Sequence, residues 1–144
     1  MKLLSIFLIF VFLLSYTTCA QEKKNPLEGT AWELISAEYF ENNSIVPFPA
    51  TKYDKSIIIW GKSNTVGVWQ DSSRTQASYF VGHKYNIEGD SITFNINFFY
   101  PEKNQIGKSF KVKFEIVANQ LRIEGFSLGS EKQHKYHEVW KRID

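Results

Sequence analysis

The chain has 144 residues, a formal charge of +2 at neutral pH, 43% hydrophobic and 16% aromatic residues, and one cysteine, Cys19. That length suits one domain able to bury a core of its own. The scattered lysines lack the clustered basic face that a nucleic-acid surface requires, and a lone cysteine excludes an internal disulfide, a Cys-based zinc site and a dithiol redox centre.

In chain order, Met1-Lys2 precedes an apolar run from Leu3 to Leu14, then the small and polar Ser15 to Ala20, then the charged Gln21-Glu22-Lys23-Lys24. This order reads as a secretory signal, and the run is shorter than the roughly 20 apolar residues a membrane-spanning helix needs. Cleavage is expected after Ala20, leaving residues 21–26 as a flexible tail and 27–144 as the folded domain. Acylation of Cys19, which would leave a lipid-anchored product, is the alternative. Lys23-Lys24 reads as part of the solvated tail.

From Leu27 onward apolar residues recur with period two and the pattern breaks about every ten residues, which argues an all-β domain. A first strand is expected around Ala31–Phe40, followed over 41–54 by a long loop whose Pro47 and Pro49 forbid a central strand. Its Ile45, Val46 and Phe48 give it the apolar contacts of a cover over one end of the fold. Next come a strand pair around Ser56–Trp60 and Thr65–Asp71, an alternating run from Val81 to Ile87, and the turn Glu88-Gly89-Asp90. Ser91–Tyr100 alternates most clearly, with Ile92, Phe94, Ile96 and Phe98 expected inward and Phe99 as the exception. Phe110, Val112, Phe114 and Ile116, then Leu121 and Ile123 beyond the turn Ala118-Asn119-Gln120, are expected to continue the inward face. A last strand runs from Lys135 to Ile143. About eight strands joined by short hairpins predict an eight-stranded antiparallel up-and-down β-barrel, since closure removes the exposed edges; a two-sheet sandwich is the alternative.

The last strand places Tyr136, Glu138, Trp140 and Arg142 on one face. With that face inward, Glu138 and Arg142 need partners, expected across strands, because buried charge is tolerated only when paired or hydrogen-bonded. The structural reading is that they close the barrel and fix its register. The functional reading is a ligand site in which His83, Tyr85, Tyr136, Glu138 and Arg142 supply polar contacts to an apolar interior walled by residues such as Phe98, with Arg142 able to hold a carboxylate. A histidine such as His83 is more often a satisfied core residue than a ligand. His134 and His137 fall on opposite faces of a strand, so no metal site is expected, and there is no catalytic triad, phosphate loop or cofactor motif. The expected activity is therefore binding without catalysis, by a monomer, of a small hydrophobic or amphipathic molecule. Two alternatives remain: a packed barrel that presents Trp69, Phe80, Phe99 and Phe126 to a protein partner, and a haem-linked or other enzymatic barrel using His83.

Leu27-Glu28-Gly29-Thr30-Ala31-Trp32-Glu33-Leu34, Gly107-Lys108-Ser109-Phe110 and Tyr136-His137-Glu138-Val139-Trp140-Lys141-Arg142-Ile143 carry a resemblance to the small exported lipocalin-like proteins of Gram-negative bacteria. It covers nearly all of residues 27–144 and implies a calycin barrel in the periplasm or secreted. In lipocalins a Gly-x-Trp on the first strand seats its indole at the closed end beneath an arginine of the last strand, so the resemblance implies a structural closure by Trp32, Trp140 and Arg142. Here Thr30 and Ala31 separate Gly29 from Trp32, one residue more than that motif has.

Overall fold

A computed structural model describes residues 24–41, 44–46, 53–71, 77–101, 103–126 and 135–144. The expected export segment with Cys19, residues 21–23 of the tail, most of the expected covering loop and His134 lie outside the described residues. Among the described residues the strands are β1 (Thr30–Glu41), β2 (Ser44–Val46), β3 (Tyr53–Trp60), β4 (Asn64–Asp71), β5 (Ala77–Glu88), β6 (Ser91–Tyr100), β7 (Ser109–Val117), β8 (Gln120–Phe126) and β9 (Lys135–Arg142). A 3-10 turn, Lys103–Gln105, lies between β6 and β7.

Each strand from β3 to β9 pairs antiparallel with the next, β1 pairs with β3, and β1 also pairs with β9. That last ladder closes eight strands into a barrel and rules out the open sandwich. β2 falls within the expected loop and is a short hairpin on the far end of β1, with Tyr39 opposite Val46. No described helix is long and apolar enough to cross a membrane.

One end of the barrel is solid. Leu27, Trp32, Trp60, Ile92 and Leu121 are buried there to within 1% of full coverage. The residues before β1 plug this end: Asn25 Oδ1 accepts from the Leu27 amide at 3.0 Å, and Asn25 Nδ2 donates to the Tyr85 hydroxyl at 2.5 Å. Asn25, expected in a flexible tail, is thus part of the closure. Trp32 Nε1 donates to Thr30 Oγ1 at 2.7 Å, which in turn donates to the Leu27 carbonyl at 2.5 Å, so the indole is held from beneath. Arg142 lies opposite Trp32 in the register, its guanidinium carbon 5.9 Å from the indole centroid. The expected Trp–Arg closure is present.

Four bulges shift the registers, at Leu34/Ser36, Tyr53/Lys55, Trp69/Gln70 and Gly82/His83. A bulge inserts one residue and flips the faces that follow it. In β6, Gly82 pairs with Phe98 while His83 pairs with Ile96, so Asn97 is the extra residue. Ile92, Phe94 and Ile96 point inward as expected, but Phe98 is 53% exposed. Ile116 also departs from the inward set in burial: it lies opposite the buried Leu121 yet is 39% exposed at the barrel end.

Candidate functional site

The other end of the barrel is hollow. A cavity of about 250 Å³ opens there between the inward faces of β1 and β3–β9. Its walls are aromatic, with Trp69, Phe94 and Phe99 on one side and Tyr39, Tyr136 and Trp140 on the other. Phe94 stacks on Phe110 with centroids 4.9 Å apart, and Tyr39 stacks on Tyr136 at 5.7 Å.

Two glycines let side chains lie directly against the backbone. A Cβ on Gly67 would lie 2.5 Å from the Trp69 ring, so the indole folds back over bare backbone. A Cβ on Gly125 would meet Val112 at 2.7 Å and the Tyr136 hydroxyl at 3.2 Å. Neither approach is open to a residue with a side chain.

The polar groups facing this space are few. Glu138 follows Tyr136 by two residues on β9 and lies opposite Ala37 of β1 and Ile123 of β8, so both cross-strand neighbours are apolar. Its Oε2 accepts from Trp140 Nε1 at 3.1 Å. Desolvation pushes its pKa up to about 7, the indole bond opposing only part of that. His83 packs against Phe94 and Phe110 at 4.9 and 5.6 Å, and burial lowers its pKa to about 4, leaving a neutral ring at physiological pH. Its Nδ1 has no partner among the described residues, nor have Trp60 Nε1 and Thr65 Oγ1. Trp60 pairs with Thr65, and Thr65 with His83, so these three atoms belong to one cross-strand row on the inner face. Tyr136 is buried, and its hydroxyl is pushed well above its ordinary pKa by desolvation and then by the nearby carboxyl of Glu138.

Of the residues expected to form a ligand site, His83, Tyr136 and Glu138 meet at this cavity and three do not. Phe98 is turned out by the bulge at Asn97, and Phe99 lines the cavity in its place. Tyr85 is inward but sits at the solid end, edge-on to Trp60, its hydroxyl donating to the Gly61 carbonyl at 2.6 Å. Arg142 is one turn of the ladder too far: it lies over Trp32 and pairs with Asp144, Nε to Oδ1 at 2.8 Å, on a partly exposed surface. Glu138 and Arg142 were expected to pair across strands, but each is bonded two positions along its own chain, to Trp140 and to Asp144. Phe80 is outward as expected for a protein-facing surface, but Trp69 and Phe99 line the cavity.

Gln105 was not legible as a site residue. It is buried, faces the cavity from the 3-10 turn, and accepts at Oε1 from Lys108 Nζ at 3.0 Å. No sequence period applies to a connection, so only the fold brings it there. Among the described residues no cluster of three metal-ligating side chains occurs. A larger groove lies at the solid end, between Lys24–Glu28 and β5, and the Tyr85 hydroxyl beneath it is already bonded twice.

No family model and no curated protein matches the sequence. The chain is similar in structure to a crystal structure of an uncharacterized protein from Bacteroides eggerthii, with 14% identity over 81% of this chain and 99% of that one and a TM-score of 0.49.

Proposed function

We propose that the protein is an exported, lipocalin-like barrel that holds one small, mostly apolar molecule in its open-end cavity and carries out no chemistry on it. The observation that carries this reading is the cavity itself: a concave aromatic space with a small number of converging polar groups, above a core that is otherwise packed solid. Its volume falls below the roughly 300–1,000 Å³ usual for drug-sized ligands, which favours a small molecule.

Native mass spectrometry of the purified protein, followed by thermal shift against apolar amines, alcohols and acids, tests it. A ligand of the folded state raises the melting temperature by mass action. Phe99→Ala is expected to weaken that shift and Phe98→Ala to leave it unchanged. Equal effects of the two variants, or no response to any compound, would remove the support for binding.

A second reading, a protein-interaction module, draws on the outward strip formed by Val66, Phe80, Phe98 and Tyr100, all exposed and adjacent across β4, β5 and β6. The same native spectrum reads it: a monomer carrying a small mass favours the carrier, an empty oligomer favours the module.

A further inference from the structure

Among the described residues Glu138 is a carboxyl group without a counter-charge in an aromatic cavity. Its neighbours across both ladders are Ala37 and Ile123, and its bond from Trp140 Nε1 is to a neutral donor. Among the described residues no lysine or arginine lines the space. Arg142 is committed to Asp144 at the solid end, and Lys108 stands behind Gln105 at the mouth, donating to its side-chain oxygen. Among the described residues the other titratable groups facing the cavity are His83, Tyr39 and Tyr136. His83 adds no positive charge, because burial holds it neutral, and Tyr136 stays a neutral phenol.

We infer that the cavity selects small organic cations, amphiphiles that carry a protonated nitrogen, with Glu138 as the counter-charge and the rings of Tyr39, Tyr136 and Trp140 as the cationic group's wall. This rests on the binding reading above and sharpens it. A buried ion needs an opposite charge or hydrogen bonds to offset its lost hydration. A carboxylate ligand would bring a second negative charge to a site that already holds one carboxyl and no cation. An ammonium group supplies the charge Glu138 lacks, and the electron-rich faces of aromatic rings attract it further. The raised pKa of Glu138 agrees with this arrangement, since a carboxyl with a resident cation would be held low instead.

The test compares three ligands with one hydrocarbon body, 3-phenylpropylamine, 3-phenylpropanol and 3-phenylpropanoate, by titration calorimetry at pH 8 with the purified protein, Glu138→Gln and Lys108→Met. The amine is expected to bind about tenfold or more tighter than the alcohol, and the alcohol tighter than the acid. Glu138→Gln is expected to erase the amine's advantage while keeping alcohol binding, which shows that the cavity is intact. Lys108→Met is expected to change little. Tightest binding of the acid, lost in Lys108→Met, would overturn the cation inference and leave the cavity as a ligand site. An amine advantage that survives Glu138→Gln would overturn the role of Glu138. Failure of all three ligands to bind would overturn the underlying binding reading as well.

Discussion

His83 and Glu138 face the same cavity, and burial shifts their pKa values in opposite directions: His83 from 6.5 down to about 4, Glu138 from 4.5 up to about 7. Between pH 4 and 6.5 the unfolded chain holds a proton on His83 that the folded chain refuses, so stability rises with pH across that span. Between pH 4.5 and 7 the folded chain keeps a proton on Glu138 that the unfolded chain has released, so stability falls with pH there. Each slope is of order 1.4 kcal/mol per pH unit, and they oppose one another where they overlap. Urea melts of the parent protein are therefore expected to be nearly flat between about pH 5 and 6.5. Glu138→Gln is expected to leave a stability that rises over this window, and His83→Phe one that falls. Identical profiles for all three would show that neither group titrates as its burial requires. Period two alone placed both residues on the inner face. It did not place Tyr85 or Arg142 outside the site, because alternation tells which side of a strand a residue takes and is silent about its height along the barrel axis.

At the scale of the element, the strands were legible and their irregularities were not. β6 shows the difference: Ile92, Phe94 and Ile96 follow the alternation, and the extra Asn97 then exchanges the roles of Phe98 and Phe99. The signal was present as the one apolar residue, Phe99, that broke the pattern, but a bulge and a partly apolar outer face look alike in sequence. Turns are similar. The chain reverses between β7 and β8 through two residues, Ala118 and Asn119, at φ of 48° and 62°. Two consecutive left-handed residues make the hairpin turn for which Asn-Gly is best suited, and an alanine there carries a Cβ penalty of roughly 1–2 kcal/mol. Replacing the pair by Asn-Gly, Ala118→Asn with Asn119→Gly, is expected to stabilise the protein by about 1 kcal/mol in denaturant melts. A loss of stability would show that the present pair makes contacts the substitution removes.

For the whole molecule, an eight-strand count with short hairpins pointed to a barrel but did not separate it from a sandwich. The difference is the ladder between β1 and β9, which joins the two strands farthest apart in sequence and leaves no local trace. Closure is uneven along the axis. β1 pairs with β3 only over Thr30–Glu33, and β6 with β7 only over Ser91–Asn95, both near the solid end. Beyond Asn95 the second seam is carried, among the described residues, by two bonds, Gly107 N–H to the Ile96 carbonyl at 2.8 Å and Ile96 N–H to the Lys108 carbonyl at 2.9 Å. Amide hydrogen exchange is expected to follow this gradient, slowest at Trp32, Ile58, Ile92 and Val112 and faster at Phe98 and Tyr100. Uniform protection along β6 would contradict it.

Those two seams divide the wall into plates of four strands, β3 to β6 and β7 to β9 with β1, fastened to each other at one end like the valves of a shell. His83 and Phe94 belong to one valve, Glu138 and Tyr136 to the other. A guest touching both would act as a clasp, fastening the valves at the end where their own ladders lapse.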